Sequence, residues 1–305
     1  MKKVIKNGVA LFILFFVLWL ASPRDTLAAL ANLRALDILL LLLLSALLIG
    51  VSSYKWGLFL AEFGERPSFW RLFALYLMGY FVNIFAPSYL GGDLTRSYLV
   101  GKKLGQHQAL SATILERYTG LLAMLFLALL FVWSDGKSTG GVKLSVVAIA
   151  LLVAVSTVVA LLPGTIFFSE RFLPYGKIAA RHLSRIQDLI LLASAKRVLL
   201  LKAFLISLVF HSLTVLNTLV CAWAVGWDSV YWFDLYVVLP MILLIGALPV
   251  TPQGLGVQEG AFFYYLTAVG ATPAQALGIA LILRAKSYVL AVFGGLVAWF
   301  YKKNQ

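Results

Sequence analysis

Charged residues are scarce in this chain of 305 residues: Asp, Glu, Lys and Arg make up only 12% of it, against about 25% in soluble domains. The single cysteine, Cys221, excludes both a disulfide framework and a cluster of thiolate metal ligands. The three histidines are scattered, without zinc-binding spacing, and no Ser or Cys nucleophile has an identifiable base. The sequence therefore predicts no metal site, no cofactor and no catalytic residue.

The chain contains long apolar runs instead of charged segments, and 62% of all residues are hydrophobic. A membrane-spanning helix needs about 20 mostly apolar residues, and lipid-facing backbone groups must pair within their own segment. The sequence therefore predicts an all-α polytopic membrane protein that forms one domain over residues 1–305. Candidate spans lie near residues 8–22, 36–60, 72–86, 107–133, 142–162, 198–225, 231–249 and 275–301.

The net charge of +13 follows the predicted topology and does not indicate a nucleic-acid partner. Of the 25 Lys and Arg residues, 17 fall on one side of the predicted spans, four on the other and four at membrane depth. Because cytoplasmic loops carry the excess of Lys and Arg, both termini are predicted in the cytoplasm, in the inner membrane of a bacterium or archaeon. Residues 1–20 also resemble a signal peptide, but we favour an uncleaved first helix.

Two segments, residues 83–96 and 247–259, interrupt the apolar pattern with proline and glycine. Proline removes a helical hydrogen bond and glycine frees the backbone, so a helix that enters either segment should end there. The apolar stretches that follow, 94–100 and 261–269, are too short to span a membrane. We interpret both segments as re-entrant hairpins, with simple kinks as the alternative. The hairpin-forming residues are Pro87, Gly91, Gly92, Pro249, Pro252, Gly254 and Gly256.

The two breaks match each other in spacing. Asp93 precedes Arg117 by 24 residues, and Glu259 precedes Arg284 by 25. Basic residues flank the first hairpin and are missing from the loops around the second, which predicts opposite orientations. The predicted fold therefore has about six full spans and two oppositely oriented re-entrant helical hairpins that form an inverted repeat. Such repeats indicate a transporter site near the bilayer midplane. Repeat A covers about residues 72–133, and repeat B about 231–301.

An amphipathic helix is predicted between the repeats, at about residues 174–197. Apolar residues share one helical face, and three basic residues recur at a spacing of four on another: Lys177, Arg181 and Arg185. This pattern suits a helix on the cytoplasmic membrane surface. It would either anchor a long loop or gather anionic lipid headgroups.

Seven ionisable residues fall at membrane depth or at its edge: Asp93, Arg96, Glu116, Arg117, Glu259, Arg284 and Lys286. Unpaired, they would cost about 20 kcal/mol in total, since each central charge costs about 2.5–3.5 kcal/mol. They must therefore be paired or face water. Together with Gln253 they are the candidate substrate-binding residues, and ion pairs that lock the two halves together are the structural alternative.

The set has four basic and three acidic residues, so complete pairing leaves one positive charge without a partner. That charge suits a phosphate, because a guanidinium fork matches phosphate oxygens. A helix that begins after Gly91 and Gly92 would add backbone N–H donors to the same anion.

Three motifs occur in order along the chain: Pro87–Asp93 with Arg96, Glu116–Gly120, and Pro249–Glu259 with Arg284. They resemble the lysylphosphatidylglycerol synthase transmembrane, or flippase-like, family, which includes the membrane half of the bacterial multiple peptide resistance factor. The resemblance covers about residues 8–300. It implies a membrane domain that moves lysylphosphatidylglycerol between leaflets while a separate cytosolic domain attaches the lysine. The chain ends at Gln305, so we expect a stand-alone member without the synthase domain, and the lipid stays open.

The predicted function is that of a lipid flippase, which moves a phospholipid or a polyprenyl-phosphate-linked lipid through a polar cavity at mid-membrane. Arg117 and Arg284 would hold the phosphate, while Asp93 and Glu259 orient them. Two alternatives stay open: an intramembrane transferase with Asp93 or Glu259 as general base, and a non-transporting subunit of a lipid-synthesising complex. Beyond the lipid itself, the partners to consider are a second copy of the chain and a lipid-synthesising enzyme.

Overall fold

The computed structural model of the chain describes residues 15–17, 19–86, 90–134, 140–161, 188, 191 and 195–303. Within these ranges the regular secondary structure is helical, with no strand. The helices are α1 (Pro23–Ala31), α2 (Ala35–Glu62), α3 (Phe69–Phe85), α4 (Leu90–Leu104), α5 (Gln106–Phe131), α6 (Gly140–Leu161), α7 (Arg197–Ala224), α8 (Trp232–Ala247), a 3-10 turn (Pro252–Gly254), α9 (Val257–Ala268) and α10 (Pro273–Lys303).

Among the described residues, four helices are long and apolar enough to cross a membrane, namely α2, α5, α7 and α10. Three shorter apolar helices lie at Phe69–Phe85, Gly140–Val155 and Trp232–Ala247. These seven helices match seven of the eight predicted spans, and most of the eighth, near residues 8–22, lies outside the described residues. The prediction of an all-α polytopic membrane protein is confirmed. The number of full spans stays a prediction.

The outward surfaces of the long helices are apolar, as lipid-facing surfaces are. On α2, the side chains of Leu36, Leu39 and Leu43 are all more than half exposed. On α7, Leu201 and Val209 are equally exposed. A soluble protein rarely presents apolar patches of this extent to water, so these faces indicate contact with hydrocarbon.

The exposed tryptophans lie near the ends of the helices rather than along their middles. Six of the eight have side chains at least 46% exposed. Trp70 and Trp232 lie at the starts of α3 and α8, while Trp133 follows α5 and Trp299 is near the end of α10. Tryptophan is enriched at both membrane–water interfaces, so this placement agrees with helices that run between the two interfaces.

Both predicted breaks interrupt the helices. In the first, α3 ends at Phe85 and α4 begins at Leu90, and Pro87 lies outside the described residues. In the second, nine residues between α8 and α9 contain Pro249 and the 3-10 turn, where Gln253 takes the left-handed φ of 49°. Gly254 and Gly256 follow with φ of 66° and 80°, a conformation that glycine adopts without strain.

The returning helices are longer than predicted, and α4 begins earlier. Because α4 starts at Leu90, Gly91 and Gly92 lie inside its first turn instead of preceding it. The Gly92 N–H donates to Asn83 Oδ1 at 2.7 Å, so this donor is already paired within the protein. That the start of the helix offers N–H donors to an anion stays a prediction. The glycine serves close packing: a Cβ on Gly92 would lie 2.6 Å from the carbonyl oxygen of Gly79 on α3.

The helices that precede the two breaks, α3 and α8, each pack against helices of both repeats. Each packs against its own returning helix, α3 against α4 and α8 against α9. In addition, α3 packs against α10, whereas α8 packs against α5. The helix before each break therefore lies on the long helix that carries the other half's arginine. Two apolar clusters result, one around α8, α9 and the start of α10, and the other around α2, α3 and α4.

Helix α1 was not predicted. It begins with Pro23, whose fixed φ suits the first helical position, and Thr26 Oγ1 donates to the Ser22 carbonyl at 3.0 Å. The predicted amphipathic helix at 174–197 lies outside the described residues apart from 188, 191 and 195–197.

The closest helix crossing gives a prediction for stability. A Cβ on Gly294 of α10 would overlap the carbonyl oxygen of Leu77 on α3. We expect Gly294→Ala to lower the free energy of unfolding by about 1–3 kcal/mol, the usual cost of overpacking, as measured by thermal unfolding in detergent. Gly141→Ala is the matched control, because no atom lies within 4 Å of its added Cβ. Equal stability of the two variants would contradict this crossing.

Candidate functional site

The first polar cluster, site A, consists of Lys55, Asp93, Arg96, Glu116 and Arg117. Its centre is Asp93, in the first turn of α4. Arg117 on α5 donates from Nε to Asp93 Oδ2 at 2.7 Å and from Nη2 to Oδ1 at 2.6 Å. The carboxylate thus holds the guanidinium by two parallel hydrogen bonds, the strong bidentate form of this pair.

Arg96 connects the two acids of site A from inside the protein. It donates to Asp93 Oδ1 at 3.1 Å and to Glu116 Oε2 at 2.5 Å, and its side chain is 1% exposed. The guanidinium carbon lies 4.3 Å from the ring centre of Trp56 and 4.2 Å from that of Tyr76. Two desolvated cation–π contacts stabilise the buried charge, each contributing about 2 kcal/mol.

Lys55 completes site A, although the sequence analysis did not place it among the charges at membrane depth. It was sorted with the basic residues of the cytoplasmic side, but the structure buries it on α2 with only 4% exposure. Its Nζ donates to Ser207 Oγ at 2.9 Å and lies 3.7 Å from Glu116 Oε1. Sequence position misled here, because Lys55 lies only seven residues before the end of α2 at Glu62. Its burial depends on α5 and α7 packing over it.

Site A is open at Arg117. The side chain of this arginine is 53% exposed, while that of its partner Asp93 is 12% exposed. Its Nε and Nη2 face Asp93, so the rest of the guanidinium stays available to a ligand. The exposed cation is fixed in place by a buried carboxylate, which is the geometry of a preorganised anion-binding group.

The second cluster, site B, consists of Gln253, Gln258, Glu259 and Arg284. Glu259, in the first turn of α9, accepts from Arg284 Nε at 2.6 Å and from the Gly256 N–H at 2.7 Å. The same guanidinium donates from Nη1 to the Gln253 carbonyl at 2.9 Å and from Nη2 to Gln258 Oε1 at 3.3 Å. Every nitrogen of Arg284 therefore has a protein partner.

Site B is closed, in contrast to site A. Arg284 is 7% exposed and Glu259 1%. The adjoining cavity, lined by Gln258, Phe262 and Ser287 among others, has a volume of about 40 Å³. That space suits a water molecule but not a lipid headgroup.

Lys286 does not belong to site B, although it is only two residues from Arg284. Its Nζ donates to Asn217 Oδ1 on α7 at 2.9 Å. Two residues along a helix rotate the side chain by about 200°, so Lys286 faces α7 while Arg284 faces α9. Of the predicted substrate-binding residues, the structure brings together Asp93, Arg96, Glu116 and Arg117 in site A and Gln253, Glu259 and Arg284 in site B.

The two broken segments are in direct contact in the structure. The Gln253 N–H donates to the Ala86 carbonyl at 3.3 Å, and the Gln253 carbonyl in turn accepts from Arg284. The C-terminal end of α3 and the 3-10 turn are thus joined by a backbone hydrogen bond. Movement of one break relative to the other must break this contact.

Comparison with known sequences assigns the chain to a family. The model of the lysylphosphatidylglycerol synthase transmembrane region matches residues 4–295. The chain belongs to this family. It is also similar to a UPF0104 membrane protein of Methanothermobacter thermautotrophicus, with 25% identity over 96% of this chain and 91% of that protein. A UPF0104 membrane protein of Methanocaldococcus jannaschii is 23% identical over 97% of this chain and 93% of its own length.

The family assignment confirms the resemblance found in the sequence, and both relatives are archaeal membrane proteins of comparable extent. Sequence reasoning missed two members of the polar network, Lys55 and Ser207. The signal for Lys55 was weak, since it lies inside the apolar run 36–60 but only five residues before its end. Ser207 gave no signal, because serine is common in membrane helices that pack closely.

Site B gives a second prediction for stability. We expect Arg284→Met to lower the free energy of unfolding by about 3–5 kcal/mol, because it leaves Glu259 buried without its cation. Adding Glu259→Gln should recover most of this loss, since the amide is neutral and its oxygen still accepts from Gly256. Thermal unfolding of both variants in detergent measures the difference. If the double variant were as unstable as the single one, the ion pair would not be the source of the loss.

Proposed function

We propose that this family member moves a phosphate-bearing lipid, either a phospholipid or a polyprenyl-phosphate-linked lipid, between the leaflets of its membrane. The observation that carries the proposal is the half-exposed guanidinium of Arg117, fixed by buried Asp93 in the middle of an apolar helix bundle. An ionisable residue inside a membrane is costly and generally marks a substrate pathway. A guanidinium with a free edge recognises phosphate oxygens.

The two sites support a transport mechanism in which they open in turn. Each has an acid in the first turn of the helix after a break, paired with an arginine on the next long helix. Site A is open and site B is closed. In the proposed cycle, opening of site B accompanies closure of site A, with the Gln253–Ala86 hydrogen bond between the breaks broken in between.

The membrane arrangement that we propose has both broken segments as re-entrant hairpins of opposite orientation, with both termini in the cytoplasm. The packing of α3 against α10 and of α8 against α5 supports it, because the two halves then play equivalent parts. Such inverted repeats give a central site access to each leaflet in turn.

Lipid movement in proteoliposomes tests the function. We expect Arg117→Ala to slow the movement of fluorescent phospholipids at least tenfold, since a hydrogen bond to a charged group contributes about 1.5–3 kcal/mol. Arg117→Lys should recover only part of the rate, because lysine keeps the charge but loses the bidentate fork.

Lys103→Ala is the matched control, an exposed cation at the end of α4. Thermal unfolding establishes that each variant is folded. Unchanged lipid movement in folded Arg117→Ala protein would refute the proposal. A new lipid-linked product formed from an added donor would instead favour the transferase.

Cysteine labelling tests the orientation. In a Cys221→Ala background, we expect a membrane-impermeant maleimide to label Asp228→Cys in intact cells. Lys103→Cys should react only after the membrane is permeabilised. Both positions are exposed on the protein, so access depends on the side of the membrane. Labelling of both from the same side would show that the hairpins are not opposed.

A further inference from the structure

Gln253 has an unusual backbone conformation for its residue type. Its φ of 49° and ψ of 26° lie in the left-handed region, and the residue is only 3% exposed. Six of the eight described residues with positive φ are glycines, among them Gly254 and Gly256 in the same segment. Left-handed backbone strains a residue that has a Cβ, whereas glycine adopts it freely. A segment that needed only this shape would be better served by glycine at position 253.

Two hydrogen bonds, one from each half of the protein, hold Gln253 in this conformation. Its carbonyl accepts from Arg284 Nη1 at 2.9 Å, and its N–H donates to the Ala86 carbonyl at 3.3 Å. In addition, Thr251 Oγ1 donates to the Leu255 carbonyl at 2.8 Å and closes the turn around Gln253. A strained residue persists only where its surroundings fix it, so loss of either of the two bonds favours relaxation.

The Ala86 contact continues to site A through the last turn of α3. Asn83, three residues before Ala86, accepts from the Gly92 N–H through Oδ1 at 2.7 Å. Asp93 of site A follows Gly92 directly along the chain. An unbroken series of contacts therefore joins site A to the turn that contains Gln253, and from there reaches the guanidinium of site B.

We propose that Gln253 is a positioning residue that couples the two sites during transport. While α3 is in place, the Gln253 carbonyl occupies Arg284 Nη1 and site B stays closed. When α3 moves and the bond to Ala86 breaks, the Gln253 backbone relaxes and its carbonyl leaves Nη1. That nitrogen is then available to a phosphate oxygen, which a guanidinium binds more strongly than a neutral carbonyl. The inference rests on the proposed function and names the residue that links movement at one site to binding at the other.

Glycine and alanine at position 253 test this role, because both remove the side chain but only glycine removes the backbone strain. We expect Gln253→Gly to unfold about 2–4 °C above Gln253→Ala in detergent, whereas at a position without positive φ glycine would be the less stable of the two. We also expect Gln253→Gly to move lipid in proteoliposomes about tenfold more slowly than Gln253→Ala, because relief of strain stabilises closed site B relative to the open state. A purely structural role predicts the gain in stability without the loss of lipid movement.

Labelling of site B measures its opening without requiring transport. Ala280 lines the cavity beside Arg284 and is 4% exposed, so a cysteine there reacts with a small maleimide when the site opens. In a Cys221→Ala background in detergent, we expect Ala280→Cys to react about tenfold more slowly in the Gln253→Gly variant than in Gln253→Ala. Lys103→Cys, exposed at the end of α4, is the control and should react at the same rate in both variants.

Equal unfolding temperatures of Gln253→Gly and Gln253→Ala would show that the backbone is not strained and would overturn the inference. A more stable Gln253→Gly variant with unchanged labelling or unchanged lipid movement would also overturn it, since the conformation would then serve only the fold. If the wild-type protein moved no lipid, the proposed function would fail, and the labelling rates would still decide whether Gln253 holds site B closed.

Discussion

The ion pair between an acid at the start of a returning helix and an arginine on the next long helix determines much of this structure. A charge in the low-dielectric interior of a membrane protein needs a partner with close geometry. Asp93 with Arg117 and Glu259 with Arg284 meet this need twice, at 2.6 Å in both cases. Each pair also fixes the position of a helix end that follows a break, so the polar sites and the broken helices depend on each other.

Glycine makes this arrangement sterically feasible. Close contact of α3 with α4 occurs where Gly92 meets Gly79, and contact of α3 with α10 occurs at Gly294. Small residues let membrane helices approach until backbone groups touch, which is the main source of packing attraction when lipid is as apolar as the side chains. Helix α3 therefore packs closely between α4 and α10. Asp93 follows Gly92 directly, so the close contact at Gly92 also positions Asp93 opposite Arg117.

The two sites differ in how far their arginines are exposed. Both sites have the same acid–arginine pair, but Arg284 is enclosed by Gln253 and Gln258, whereas Arg117 is half exposed. This difference in exposure is the basis of the proposal that the two sites open in turn.

The sequence by itself determined the helical membrane class, the two breaks and the spacing of both ion pairs, because hydropathy, proline and glycine act locally along the chain. The family followed from motifs of the same local kind. Tertiary structure alone decided that Lys55 is buried against Glu116 and Ser207, that Lys286 faces Asn217 instead of site B, and that one site is open while the other is closed. Those outcomes depend on which helix faces pack together. A pattern read along one chain cannot determine that packing, because residues in contact are far apart in sequence; Lys55 and Ser207, for example, are separated by 152 positions.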